Sequence, residues 1–287
     1  MTFAIAGVSG NTGKVVADTL LSQGKKVRVI VRDAKKGEPW KAKGAEVLVA
    51  ELSDAAAVAR ALAGAEGAYL LVPPNYGSGA FRATQAAIVK ALAEAIATSK
   101  VPHVVLLSSV GAQHESGTGP ITALHAAEKA FAAIPGAAFS FLRAGYFLEN
   151  VGGSLGQLDQ GILPSFTPAK HAFPAVATVD IGRLAAQLLV EGTKKNQIVE
   201  LGSPATFEGF AAALSKVTGK PIKVAEAPIE AMAGVLTGHG FTEELAGLFV
   251  EMTRGINSGK VAFEGTHRSV PASTSAETVF RGLLGKG

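Results

Sequence analysis

The chain has 287 residues, no cysteine, 17% charged side chains and a formal net charge of +4. That length suits one large α/β domain or a domain with a smaller appendage, and the low charged fraction argues against disorder. Without cysteine there are no disulfides, thiolate nucleophiles or cysteine metal sites.

The opening residues run directly into an apolar strand, Phe3 to Ala6, with neither a basic leader nor an apolar signal core. No apolar span reaches membrane length. A soluble, cytoplasmic protein is expected. Next comes Gly7-Val8-Ser9-Gly10-Asn11-Thr12-Gly13, which opens an alanine- and leucine-rich helix from about Lys14 to Leu21. The first glycine permits a tight strand-to-helix turn, the second lets the backbone approach a pyrophosphate, and the third allows close helix-on-strand packing. Free N–H groups at the helix start, aided by the helix dipole, face the phosphate. Gly7, Ser9, Gly10, Asn11, Thr12 and Gly13 are therefore candidate dinucleotide-binding residues. The spacing is G-x-x-G-x-x-G, and it is the strand-turn-helix context that raises it above a merely structural turn.

The second strand spans about Lys26 to Val31 and ends in Arg32-Asp33. At this point an acidic residue accepts the 2′-hydroxyl of NAD, whereas an arginine pairs with the 2′-phosphate of NADP. Arg32 comes first, so NADP is favoured; Asp33 has an alternative reading as a cap of the next turn. Lys36 either assists the same phosphate or is an exposed loop charge. Between Lys14 and Lys43 nine Lys or Arg stand against Asp18, Asp33 and Glu38, so the rest of the chain is slightly acidic. A nucleic-acid surface is not expected, because this basic stretch has only Trp40 as an aromatic and no recognised motif.

The third strand, Ala45 to Val49, leads through Leu52-Ser53-Asp54 into a helix that Asp54 or Ser53 caps. Leu52 and Ser53 are candidates beside the adenine. The fourth strand, Ala68 to Val72, ends in Pro73-Pro74, where the backbone must leave the sheet. A long helix, Phe81 to Thr98, precedes the fifth strand, His103 to Leu107, and then Ser108-Ser109. In a parallel sheet the cofactor's reactive half lies at such carboxyl ends, so Val72, Pro73, Pro74 and Ser108 join the candidates. Alternating strands and helices predict an α/β, Rossmann-type doubly wound parallel sheet.

The glycine turn, Arg32, Leu71-Val72-Pro73-Pro74, Leu106 to Gly111, Leu142-Arg143-Ala144-Gly145-Tyr146-Phe147-Leu148-Glu149-Asn150 and Val179 to Gly182 together resemble the NmrA-like atypical short-chain dehydrogenases/reductases. That group includes NADPH-dependent quinone reductases, flavin-free azoreductases and cofactor-sensing regulators. The resemblance implies NADPH as cofactor, with no flavin and no metal. It also puts Tyr146, Phe147 and Asn150 near the nicotinamide, with core packing an equal reading for the two aromatics.

The ordinary short-chain reductase uses a serine after strand five and a Tyr-x-x-x-Lys pair. Ser109 stands where that serine is expected, but Tyr69, Tyr76 and Tyr146 all lack a lysine four residues on. The nearest pattern is His125 and Lys129, which share one helical face. Either this is a substituted dyad, histidine being able to donate a proton near neutral pH, or His125 is a surface or cofactor-lining residue. In the second case Glu128 takes the place of the family's helix glutamate, and Pro120 and Leu124 fall at the dyad positions.

Val151 to Phe173, rich in glycine, reads as a mobile cover, and Asp180 as the cap of a helix to about Val190. Beyond Ala205 a smaller, mostly helical substrate part is expected, with Phe241, Phe249 and Met252 either walling a cavity or filling a core. The expected division is residues 1–150, completed by about 176–201, for the dinucleotide-binding part, and 151–175 with 202–287 for the substrate part. The six histidines show no metal-ligand spacing. The expectation is a monomer or homodimer that passes hydride from NADPH to a small quinone- or azo-type aromatic acceptor. The alternative is an NAD(P)H-sensing regulator acting through a protein partner.

Overall fold

The computed structural model describes residues 1–285. In chain order its strands are β1 (Thr2–Ala6), β2 (Lys26–Val31), β3 (Glu46–Val49), β4 (Gly67–Leu71), β5 (His103–Ser109), β6 (Ala138–Ala144), β7 (Tyr146–Phe147), β8 (Ile162–Ser165), β9 (Phe173–Val176), β10 (Gln197–Leu201), β11 (Ser203–Ala205), β12 (Lys223–Glu226) and β13 (Arg268–Val270). The helices are α1 (Asn11–Ser22), α2 (Glu38–Ala42), α3 (Ala55–Leu62), α4 (Phe81–Ser99), α5 (Thr122–Ala132), α6 (Thr178–Glu191), α7 (Phe207–Thr218), α8 (Met232–Gly238), α9 (Glu243–Asn257) and α10 (Ala276–Leu283). An eight-stranded sheet has the order β13-β10-β6-β5-β4-β1-β2-β3. β1 pairs in parallel with both β2 and β4, β2 with β3, and β4 with β5. The chain therefore leaves β1 toward one edge and resumes at β4 toward the other, and this reversal makes a crevice at the carboxyl ends of β1 and β4.

The chain forms two units. Unit 1 comprises Met1–Ser108, Ala123–Arg143 and Ile181–Val199. Its strands read as near-continuous apolar runs because helices cover both faces of a parallel sheet. Ile5, Leu70, Leu106 and Phe139 are fully buried. α1 buries Val16, Ala17 and Leu20 at helical spacing. α3 starts where expected, with the Asp54 carboxylate accepting from Ala57 N at 3.0 Å.

Unit 2 comprises Ser109–Thr122, Ala144–Asp180 and Glu200–Gly287. Segments 109–122 and 144–150, assigned from sequence to the dinucleotide-binding part, group here. Its sheets are small, β11-β9-β7 and β12-β8. Leu148, Leu163, Phe210, Leu214 and Phe280 form its core. Val151 to Phe173 carries regular structure that its glycines did not suggest: a 3₁₀ run, Leu148–Gln160, buries Leu148, Val151 and Leu158, and β8 follows it.

Asp180 does not cap a helix. α6 begins two residues earlier, and Glu149 takes the capping role, accepting from Thr178 N at 2.9 Å and from its hydroxyl at 2.6 Å. The Asp180 carboxylate instead accepts four hydrogen bonds of 2.7–2.8 Å from the backbone and hydroxyl groups of Ser273 and Thr274. Among the described residues no helix is long and apolar enough to cross a membrane.

Candidate functional site

A cavity of about 560 Å³ opens at the carboxyl ends of β1, β2 and β4. Gly7 and Gly10 form its lip. Gly7 has φ +71°, in the left-handed region, and a Cβ there would stand 2.5 Å from Leu71 Cδ2. A Cβ on Gly13 would stand 2.5 Å from the Ala6 carbonyl oxygen, so α1 sits on β1 closer than any side chain allows. Gly10 is the N-cap, offers no side chain to the first turn, and is followed by no acidic residue in that turn. The amides of that turn and the dipole are thus left available to an anion.

Of the residues singled out from the sequence, Ser9, Arg32, Lys36, Leu52, Ser53, Pro73 and Pro74 line the same cavity. Asp33 turns away: its carboxylate accepts from Lys35 N at 2.9 Å and caps the following 3₁₀ turn. Several basic groups nearby are already committed. Arg28 binds Glu46 and the carbonyls of Ala61 and Ala63, and Lys43 binds Asp18 while lying over the Trp40 ring. The side chains of Arg32 and Lys36 have no hydrogen bond or ion pair among the described residues. They are exposed cations on the cavity wall with charge to offer.

Other candidates do not line this cavity. Asn11 is exposed on the first turn of α1, and Val72 is buried. The Thr12 hydroxyl is buried and accepts from Tyr69 OH at 2.8 Å. Ser108 is also buried, its hydroxyl donating to Glu128 at 2.5 Å, so it serves an internal network rather than the wall. His125 is half-buried and Lys129 exposed on α5. The site is better supported on one flank than the sequence indicated. Buried Gln85 of α4 donates to the Pro73 carbonyl at 2.7 Å and holds the loop after β4 in place.

Three further candidates belong to unit 2. The Ser109 hydroxyl donates to the Val110 carbonyl at 3.0 Å. Asn150 is exposed on the 3₁₀ run. The Tyr146 ring packs edge-on to Phe173 and Phe207 and stacks on Phe210, with centroids 5.4–6.2 Å apart. Burial pushes its phenol up to about 12. Donating a proton there leaves a phenolate in an apolar cluster, which is unfavourable.

Glu128 was legible only as a family glutamate, and its role is structural and specific. Arg143 grips it with a two-pronged pair, Nε to Oε1 at 3.0 Å and a terminal nitrogen to Oε2 at 2.7 Å, while Ser108 fills a further lone pair. All three are buried, and together they join the ends of β5 and β6 to α5. Among the described residues no group of three or more His, Asp or Glu is placed to hold a metal ion.

The NmrA-like family matches residues 1–267. The chain is 24% identical to an NAD(P)H azoreductase of Xenophilus azovorans over 253 residues, covering 86% of this chain and 85% of that one. It is also 24% identical to quinone oxidoreductase 2 of Escherichia coli, covering 96% of each. The structure of that NADPH-dependent quinone oxidoreductase in complex with NADPH superposes with a TM-score of 0.82 at 24% identity, over 97% of this chain and 99% of that one. A triphenylmethane reductase of Citrobacter gives 0.82 at 20% identity, over 99% and 100%. These similarities agree with the strand order and the glycine turn, and with a match that spans nearly the whole sequence the chain belongs to the NmrA-like family.

Proposed function

We propose that this chain is an NADPH-dependent reductase that delivers hydride, without flavin, to a quinone- or azo-type aromatic acceptor. The observation that carries the cofactor reading is the unit 1 cavity, with an uncapped helix start at its lip and unpaired Arg32 and Lys36 on its wall. The names of the azoreductase and quinone oxidoreductase relatives support the reaction class.

The first turn of α1 holds the pyrophosphate, with Gly7 and Gly10 giving the backbone clearance. Arg32 and Lys36 pair with the 2′-phosphate, a role Asp33 leaves open by capping its own turn. Leu52 and Ser53 flank the adenine, and Gln85 keeps Pro73 and Pro74 in position. NADPH, when bound, supplies the hydride. The acceptor also needs a proton, and no Tyr-x-x-x-Lys pair provides it. Quinones and azo groups are readily reduced acceptors that take a proton from water or a weak donor, so positioning does most of the work. His125, with Lys129 on the same helix, and Ser109 are the weak donors proposed. Tyr146 serves the packing of unit 2.

The test is an anaerobic assay of purified, flavin-free protein with NADPH or NADH against a panel of quinones and azo dyes, following cofactor absorbance. NADPH oxidation that depends on the acceptor supports the reductase. Tight NADPH binding without oxidation by any acceptor replaces it with the sensor reading.

A further inference from the structure

A second cavity lies wholly within unit 2 and shares no residue with the first. It is a groove of about 470 Å³ along one face of α9. Gly247, Val250, Glu251 and Arg254 recur at three- and four-residue spacing and present that face, with Ala233 of α8 opposite. The turn at Gly117 also lines the groove and is seated on α9 by two devices. Gly117 N donates to Glu251 Oε1 at 2.6 Å. Gly255 has no Cβ, and one placed there would stand 2.9 Å from the Gly117 carbonyl oxygen.

Lys260 leans over this turn: a Cβ on Gly117 would stand 2.5 Å from its Nζ. The side chains of Lys260 and Arg254 make no hydrogen bond or ion pair among the described residues. The groove's one carboxylate, Glu251, is already an acceptor for the turn. The lining therefore combines two uncommitted cations with the apolar surface of Ala233 and Val250. Such cations in a concave site attract anions, and a guanidinium matches a planar or trigonal oxyanion with two donors.

We propose that this groove binds a small organic anion, an apolar ring or chain carrying one carboxylate or sulfonate. Arg254 and Lys260 hold the charged end, and Ala233 and Val250 cover the body. An inorganic anion leaves the apolar wall unused and a neutral ring leaves the cations unused, so both bind more weakly. The occupant also rests on the Gly117 turn and slows amide exchange in segment 109–122.

Calorimetric titration of the full chain with benzenesulfonate, benzyl alcohol and sodium sulfate tests this. Benzenesulfonate is expected to bind at least about tenfold more tightly than either other probe, and the R254Q/K260Q variant to lose about tenfold, as two exposed charge pairs warrant. NADPH affinity stays unchanged in that variant, and hydrogen exchange slows at 109–122 only in the wild type with benzenesulfonate. No binding at millimolar concentration, equal affinity for benzyl alcohol, an unaffected double variant, or competition with NADPH would each overturn the assignment.

Discussion

The two units are held together by different means. Unit 1 rests on apolar burial across a parallel sheet, and polar side chains such as Asp54 and Gln85 finish a helix end and hold a loop. Unit 2 has only short strands, and its loops are pinned by carboxylates that accept backbone amides: Glu149 from Thr178, Asp180 from Ser273 and Thr274, Glu200 from Glu264 and Gly265, Glu226 from Ala169, and Glu251 from Gly117. Each such bond is charge-assisted and satisfies a donor that no ladder reaches. The two units thus draw on different physics. Apolar burial does not titrate, whereas the Asp180 pin is lost when acid protonates its carboxylate.

The exception in unit 1 is the buried Glu128–Arg143 pair, and it carries the largest expected effect. Glu128→Ala leaves a guanidinium buried without its partner, which costs about 3–5 kcal/mol. Denaturant unfolding measures the loss, and hydrogen exchange shows where it falls. Loss of protection confined to α5 and the ends of β5 and β6 keeps the comparison, whereas equal loss throughout unit 2 breaks it.

Asp180 provides the matching test in unit 2. Burial alone raises its carboxyl, but the bonds from Thr274 and Ser273 outweigh that and hold it below the usual carboxylate value of 3.8. A depressed folded value means that the stability it contributes is present above the unfolded value and is lost as pH falls through the folded one. Protection at residues 271–275 therefore declines below about pH 4 while the unit 1 sheet stays protected. Asp180→Ala removes the same contribution at neutral pH, at a cost of about 2–3 kcal/mol for several charge-assisted bonds that do not add. Uniform acid loosening of both units contradicts the distinction.

These two networks also mark where reading the sequence stops. The glycine turn, the Asp54 cap, Arg32 and the order of the first five strands are local patterns whose meaning lies within a few residues. Glu128 meets Arg143 fifteen residues on, and Asp180 meets Thr274 ninety-four residues on. No local spacing signals such pairs. Asp180 reads from the sequence as a helix cap, and the actual cap, Glu149, lies twenty-nine residues before Thr178, whose amide it accepts. Ser108 shows the same limit: its place at a strand end is a local pattern, whereas the carboxylate that accepts from its hydroxyl, Glu128, lies twenty residues on.

Within the cavity itself, Arg32→Ala is expected to weaken NADPH binding about tenfold to a hundredfold while changing NADH affinity little, since a charge-assisted phosphate contact is worth about 1.5–3 kcal/mol. Fluorescence or calorimetric titration with both cofactors reads the difference. Equal losses for the two sink the 2′-phosphate assignment and return Asp33 to consideration.

The smallest effect is expected at Tyr146, the one phenol in the Leu142 to Asn150 run. Its hydroxyl is held neutral by burial, with its pKa near 12, and its ring lies among Phe173, Phe207 and Phe210. If the ring is packing, Tyr146→Phe keeps the aromatic contacts and changes kcat less than about twofold, with a stability change under about 1 kcal/mol. The pH profile settles the matter more sharply than the rate. A proton donor shifts the alkaline limb of kcat when it is removed, whereas a packing ring leaves that limb where it was. One contribution does change: because folding raises this pKa, Tyr146 lends stability below about pH 10 that fades as pH rises toward 12. The phenylalanine variant therefore unfolds less readily than the wild type in that alkaline window while reducing its acceptor at the same rate at pH 7, an outcome that a catalytic tyrosine could not produce.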